Sequence, residues 1–308
     1  MTAVAFLGPE GTFASEAARR AAPDAARRPL PTIDEVVDAV RDGSVDIGVV
    51  PIENSIEGSV NITLDALAFG PPGVVVRGEV VIPISMNLLA PPGSDLGDIK
   101  EVRSQPHALA QCRGWLTANL PGVAVAASTS TAEAAREAGE AAGGVAALGT
   151  RLAGERYRLD VLVPDIQDYP GNTTRFVVLG RRLCRPTGAD KTSLVVFFGE
   201  DRPGLLMRVL DEFALRSINL TKIESRPTKQ ALGEYCILID CAGHLTDARV
   251  GEALRSVHRH VADLRVLGSF PRADAQVTTP EPADSDAAYA SASRWFADLV
   301  AGIDDPPG

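Results

Sequence analysis

Four short stretches hold the hydroxyl, amide and guanidinium groups that could grip a small acid. The first is Gly8-Pro9-Glu10-Gly11-Thr12-Phe13, set between an apolar run and an amphipathic one. Gly11 lets the backbone come close to a ligand, and Thr12 adds a hydroxyl at a helix start, where free N–H groups face an anion. The stretch lacks both the Gly-Lys-Ser/Thr of a nucleoside-triphosphate loop and the Gly-x-Gly-x-x-Gly of a dinucleotide loop. Alone it also reads as a plain strand-to-helix turn. The second stretch, Val49 to Val60, is more specific. Glu53, Asn54, Ser55 and Ser59 gather where a buried strand ends, the place at which open α/β sheets bind ligands. The third is Ser104-Gln105-Pro106-His107-Ala108-Leu109-Ala110-Gln111-Cys112. Pro106 suits the first helical position and Ser104 a cap. His107, the only histidine in residues 1–183, fits a surface or packing role better than that of a base. Ser128-Thr129-Ser130-Thr131 makes a further cap-like helix start. The fourth is Asn172-Thr173-Thr174-Arg175-Phe176, where the Arg175 fork matches a carboxylate and Thr174 offers an adjacent hydroxyl. Together they describe a small acidic ligand held by a guanidinium and several backbone amides. No Ser-His-Asp order, metal cluster or nucleotide loop accompanies them, so the chemistry needs orientation, anion binding and at most one proton.

The elements that must position these groups alternate along residues 1–183. Short apolar runs at Val4–Leu7, Ile47–Val50, Val74–Ile82, Val123–Ala126, Val145–Leu148 and Arg175–Leu179 read as strands. Helical patterns lie at about Thr12–Ala21, Ile33–Arg41, Gly58–Ala68, Pro106–Ala118 and Thr131–Ala142. The alternation predicts α/β layering. Thr32 and Glu35 have capping-box spacing, and Gly43 should end that helix. Residues 184–191 (CRPTGADK) have no periodicity and read as a linker. Strand, helix, strand, strand, helix and strand then follow over residues 192–270, a ferredoxin-like βαββαβ pattern. Residues 271–308 are rich in Pro, Ala and Asp. Their composition favours a disordered tail, with one helix over Asp286–Ile303 as the alternative, its stripe formed by Trp295, Phe296, Leu299 and Val300.

Composition bounds the function. The 308 residues carry 30 Lys+Arg against 40 Asp+Glu, net -10, which disfavours nucleic acid and anionic membranes as partners. Half of the surplus lies in the tail, where seven acidic and two basic residues give -5. No apolar run approaches the roughly 18–20 residues of a membrane span, and the N-terminus has no basic lead, so a cytoplasmic protein is expected. Cys112, Cys184, Cys236 and Cys241 form no C-x-x-C pair, so neither a disulfide framework nor a zinc site is expected.

In these motifs the sequence resembles the prephenate dehydratase family. The resemblance is carried by GPEGTF at 8–13, GVVPIENSIEGSV at 48–60 followed by Thr63-Leu64-Asp65, SQPHALAQC at 104–112, NTTRF at 172–176, DRPGLL at 201–206 and IESRP at 223–227. It spans about residues 3–270 in the family's order and spacing. It implies an α/β fold with a two-lobed, periplasmic-binding-protein-like catalytic domain at 1–183, lobe one at about 1–80 and 160–183 and lobe two at about 81–159. A linker at 184–191, an ACT regulatory domain at 192–270 and an acidic extension at 271–308 complete the chain.

The implied reaction is the decarboxylating dehydration of prephenate to phenylpyruvate, in phenylalanine biosynthesis, without a cofactor or metal. Thr174 is then the catalytic hydroxyl, Arg175 the carboxylate anchor, and Phe176 packs under the site. Gly11, Thr12, Asn54, Ser55, Ser59, Ser104, Pro106, Asn172 and Thr173 would bind substrate. L-Phenylalanine would sit between paired ACT domains, against Arg202, Pro203, Gly204, Leu205, Leu206, Asn219, Leu220, Glu224 and Ser225. The family often has a small Ala where this chain has Leu205, which narrows the effector pocket. A shared site implies a homo-oligomer, a dimer or tetramer. Two rivals stay open: arogenate dehydratase, and a non-catalytic amino-acid sensor, which would not need the NTTRF hydroxyl.

Overall fold

The computed structural model describes residues 2–141, 143–199, 202–229, 231 and 233–303. The chain divides into two units, Met1–Val74 with Glu79–Arg181, and Val75–Gly78 with Arg182–Gly308.

The first unit has two sheets. In one, Ala3–Leu7 lies between Ala26–Leu30 and Ile47–Asn54, parallel to both. Thr173–Gly180 adds antiparallel to Ile47–Asn54, and Glu79–Pro83, the first unit's share of the strand Val75–Pro83, follows it. Val4, Phe6, Val49, Ile82 and Phe176 pack against Ala14, Ala17 and Ala18 of the helix Phe13–Ala21. The small Ala face lets that helix sit close to the sheet. Thr32 caps the helix Ile33–Arg41 as its spacing predicts, accepting from Glu35 N at 3.1 Å. Gly43 follows at φ +79°, the left-handed turn that ends such helices. The second sheet runs Asp160–Val163, Asn87–Ala90, Val145–Gly149, Glu101–Ser104 and Ala124–Ala127. Its core is Leu88, Val102, Leu148, Ile166, Leu116 and Cys112.

Several expectations shift. The strand Asp160–Val163 pairs with Asn87–Ala90 and so belongs to the second lobe, not the first; the chain returns only at Thr173. The expected helix Pro106–Ala118 breaks at Cys112 into Pro106–Gln111 and Arg113–Asn119. The cause is remote in sequence: Asp168 caps the second piece, accepting from Gly114 N at 2.7 Å and Trp115 N at 2.9 Å. The expected helix at Gly58 starts instead at Asn61, because Gly58–Ser59 pairs back onto Glu53 and Asn54.

The second unit has the strand order Leu220–Pro227, Tyr235–Ala242, Asp190–Phe197 and Asp263–Pro271. With helices Leu205–Ala214 and Ala248–His260 it forms the βαββαβ arrangement. Leu194, Val196, Val209, Phe213, Ile239, Val250 and Val257 fill its core. The expected linker ends early. The Asp190 carboxylate gathers Thr187 N and the Thr187 hydroxyl at 2.7 and 2.8 Å and Gly188 N at 2.9 Å, so the strand begins at Asp190. Beyond the sheet, Asp286–Ala301 is a helix capped by Ser285, where composition alone favoured disorder. Among the described residues no helix is long and apolar enough to cross a membrane.

Candidate active site

A cleft of about 410 Å³ opens in the first unit. Thr174, Asn54 and Pro51 line one wall; Gln105, His107, Ala108 and Gln111 line the other. Phe176, Ile84 and Met86 supply apolar floor, and Thr12 and Thr129–Thr131 stand at helix starts.

Thr174 reaches the cleft through the strand pairing. Thr174 lies opposite Asn54 and Phe176 opposite Pro51, with Ile52 the extra residue where the ladder slips between them. In a regular strand, residues three apart face opposite sides. The bulge removes that constraint, so Pro51 and Asn54 both face the cleft.

Asn54 is locked in one orientation. Its Oδ1 accepts from Ile56 N and Glu57 N at 2.9 and 3.0 Å, so its Nδ2 must face the other way. That nitrogen donates to Thr174 Oγ1 at 2.9 Å and to Asn172 Oδ1 at 2.9 Å. Ser55 ties the two strands together. Its hydroxyl donates to Asn172 Oδ1 at 3.2 Å and accepts from Thr173 N at 3.0 Å. Asn172 is buried, and its Nδ2 donates to Gln111 Oε1 at 3.3 Å, bridging to the helix of the second lobe. Gly11, at φ +90°, accepts the Thr150 hydroxyl on its carbonyl at 2.7 Å, a second tie between lobes. Thr12 caps the helix Phe13–Ala21, accepting from Ser15 N and donating to Pro9 O.

Gly11, Ser55, Asn172 and Thr173 brace the cleft without lining it, and four further expected site residues stand elsewhere. Ser104 is neither cap nor wall: it is fully buried and donates to Leu148 O at 2.8 Å, while Gln105 holds the cap position. Pro106 opens the helix but does not line the cleft, and neither does Ser59, which pairs with Glu53 on the short strand. Arg175 is the larger correction. Side chains alternate along a strand, so Arg175 points away from the face that carries Thr174 and Phe176. Its guanidinium meets Glu53 Oε2 from Nε and Nη2 at 3.1 and 2.8 Å, and Glu79 Oε2 from Nη1 at 3.3 Å. Glu79 is 4% exposed. Among the described residues lining the cleft there is no Arg or Lys. Negative charge in it must therefore meet N–H groups at helix starts and amide side chains.

Gln105, Ala108 and Gln111 follow at i, i+3 and i+6 on one helix face. That spacing is readable in SQPHALAQC and marks two amides the motif reading passed over. Cys112 beside them is an inert packing group: burial, with Asp168 nearby, pushes its thiol up to about 12. Cys241 is likewise pushed up to about 12, chiefly by burial. Iodoacetamide at pH 8 should thus modify Cys184, which is partly exposed, and spare Cys112, Cys236 and Cys241. Peptide mass spectrometry of the native protein checks this, and a modified Cys112 would contradict it. Among the described residues no group of three His, Cys, Asp or Glu could hold a metal.

Comparison with known proteins places this architecture. The family model described as prephenate dehydratase matches residues 4–183, and that of the ACT domain matches 192–259. The chain belongs to the prephenate dehydratase family. It is 43% identical over 309 residues to the prephenate dehydratase of Amycolatopsis methanolica, covering 98% of this chain and 99% of that one. The crystal structure of prephenate dehydratase from Arthrobacter aurescens in complex with L-Phe superposes with a TM-score of 0.90 at 43% identity, covering 98% of this chain and 100% of that one. A further solved structure, described as a novel type of quorum quenching acylase, gives a TM-score of 0.79 at 29% identity, covering 87% and 97%.

The ACT unit of this family member has its own pocket of about 560 Å³. It is lined by Arg202, Pro203, Leu205, Arg208, Arg259 and His260, among others. Gly204 precedes the helix Leu205–Ala214 at φ +82°, a backbone state that a side chain strains. Leu205 lines the pocket without closing it. The other residues expected around an effector are not gathered there within one chain. Leu206 is exposed on the helix and Asn219 precedes the edge strand Leu220–Pro227. On that strand Glu224 meets Lys222 at 3.2 Å and Arg226 at 3.7 Å, with exposed Ser225 beside it.

Proposed function

We propose that this chain is a prephenate dehydratase, a carbon–oxygen lyase that turns prephenate into phenylpyruvate, carbon dioxide and water. One observation carries the reading. The Thr174 oxygen lines the cleft and accepts from the Asn54 amide, which leaves its own O–H to donate to a ligand there. As the ring carboxylate leaves as carbon dioxide, its bonding electrons enter the ring and expel the ring hydroxyl. That hydroxyl departs as water when it takes a proton. An O–H that already accepts a hydrogen bond is a stronger donor, which suits Thr174 to hydrogen-bond the leaving oxygen as its bond to carbon breaks, while the net proton that makes it water is drawn from solvent. The side-chain carboxylate of prephenate would be held at the helix starts near Thr12 and Ser130, with Gln105 and Gln111 on the opposite wall. This binding leaves the departing carboxylate unsupported by a fixed cation, as differential binding of the transition state requires.

The acylase activity named for one similar solved structure would need a nucleophile with a base in hydrogen-bond reach. Here Thr174 accepts from an amide and Thr12 donates to a carbonyl, which supports the dehydratase. The assay is phenylpyruvate formation from prephenate, run beside arogenate. Turnover of prephenate is expected; turnover of arogenate alone would replace this reading with its neighbour. Absence of both would revive the amino-acid sensor.

L-Phenylalanine is the proposed effector, bound where Arg202–Leu206 of one ACT unit would meet Glu224 and Ser225 of a paired copy. A cytoplasmic homo-oligomer fits that arrangement. Isothermal titration should give binding heat with millimolar L-phenylalanine, weakened about tenfold or more in Gly204→Val, whose backbone cannot keep φ +82° without strain. No heat from the unaltered protein would refute effector binding.

A further inference from the structure

Three amide side chains of the first unit form a chain whose polarity is fixed at one end. Asn54 Oδ1 accepts from Ile56 N and Glu57 N, which commits its Nδ2 to Asn172 Oδ1 at 2.9 Å. Asn172 Oδ1 also accepts from the Ser55 hydroxyl at 3.2 Å, so the remaining end of this amide is its Nδ2. That nitrogen donates to Gln111 Oε1 at 3.3 Å. Amides that meet nitrogen to oxygen cannot be turned over singly, because a reversed one would set two donors against each other. The orientation dictated by two backbone N–H groups therefore passes through Asn54 and Asn172 to Gln111. Gln111 lines the cleft, and with its Oε1 engaged it has its Nε2 left to offer a ligand there. It is a donor at that wall, not an acceptor.

The surrounding wall has the same bias. Among the described residues lining the cleft there is no Asp or Glu. Glu57 stands 3.9 Å from His107 but does not line the cleft. Gln105 is exposed and makes no cap hydrogen bond, so its amide is open to either orientation. Prephenate carries a keto oxygen beside its side-chain carboxylate, and that oxygen accepts. Arogenate carries an ammonium at the same place, which only donates. Resting on the dehydratase reading, we propose that Gln111 determines the choice between them. Its Nε2 donates to the keto oxygen, and the same N–H opposes the ammonium of arogenate, which meets no carboxylate on the wall. Asn172 is the positioning residue that holds Gln111 in this sense. A site built around a polar contact rejects the analogue that leaves it unmatched far more strongly than an apolar pocket rejects a lost methylene.

The test is kcat/KM for prephenate divided by kcat/KM for arogenate, measured within each preparation so that inactive protein cancels. The unaltered protein should favour prephenate about 100-fold or more. Gln111→Glu keeps an oxygen for Asn172 Nδ2 and replaces the donor at the cleft by an acceptor. It should lower the ratio about 100-fold or more, in part through a gain on arogenate. Asn172→Asp acts from behind the wall, where Asn172 is 3% exposed. Its second oxygen can accept only from a reversed Gln111, which brings Oε1 to the cleft. The ratio should then fall about tenfold or more with every lining residue unchanged. Should Asn172→Asp fail to fold, Gln111→Glu decides alone. Equal losses on both substrates in Gln111→Glu would show that the amide meets a group they share, and overturn the proposal. A folded Asn172→Asp with an unchanged ratio overturns it too, as does an unaltered protein that uses both substrates equally. Unaltered protein that converts neither substrate removes the dehydratase reading itself, an outcome visible before any variant is made.

Discussion

Thr174→Ala lowers kcat for prephenate by about 100- to 10,000-fold, the usual worth of a positioned proton donor, while KM changes little. The geometry sets this pattern. Thr174 Oγ1 is one hydroxyl on a wall otherwise built of amides and apolar groups, so its loss removes little binding. What is lost is the donor to the departing hydroxyl, an interaction that strengthens only as the carbon–oxygen bond stretches. Thr174→Ser keeps the oxygen and should retain most of the activity. Asn54 can still donate to it at the same place. Steady-state kinetics on the three proteins distinguishes the roles. A binding hydroxyl would raise KM at constant kcat, and a spectator would change neither. Either outcome removes Thr174 from the chemistry.

The cleft explains how an acidic chain can accept a dianion. The net charge of -10 is an average over 308 residues, and half of it lies in the tail. The potential in a cleft is set by groups within a few ångströms, because salt screens exposed charges beyond roughly 8–10 Å. Helix starts at Phe13 and Thr131 present N–H groups without intrahelical partners to the same space. No excess of basic residues is needed to hold a carboxylate there.

The sequence disclosed local structure well, and disclosed poorly what depends on pairing between distant segments. Thr32 with Glu35, Pro106 at a helix start and the βαββαβ order are short-range patterns, and each appears where its residues stand. Ala26–Leu30 carries two arginines and a proline and is largely exposed, so no apolar run announces it as a strand. The break at Cys112 depends on Asp168, more than fifty residues away along the chain. The Ile52 bulge depends on how Thr173–Gly180 lies against Ile47–Asn54. Ser104 had the right type for a cap, but the strand Glu101–Ser104 runs through it and turns its hydroxyl inward to Leu148 O. Residue type in these motifs identified the site region. Which face each residue presents came only from the register.

Arg175→Met gives the sharpest consequence of that register. If Arg175 anchored a substrate carboxylate, its removal would raise KM by orders of magnitude and leave stability nearly unchanged. The structure predicts the reverse. Arg175 is 14% exposed and is gripped by Glu53 and by Glu79, itself 4% exposed. Removing the guanidinium takes an ion-pair partner from a carboxylate that is almost fully buried. Breaking such pairs costs about 3–5 kcal/mol, and the lower end applies here because Glu53 keeps contact with water. Urea unfolding should therefore show a loss of about 3 kcal/mol, while KM in the folded fraction moves only a few-fold. Glu79→Gln in the Arg175→Met background should recover part of the loss, since it removes the buried charge that Arg175 offset. The two changes should be strongly non-additive. Arg175→Lys should fall between, keeping the charge but not the fork that spans both carboxylates. A hundredfold rise in KM with unaltered unfolding would return Arg175 to the substrate. The expected pattern instead makes it the strut that holds the strand beneath Thr174.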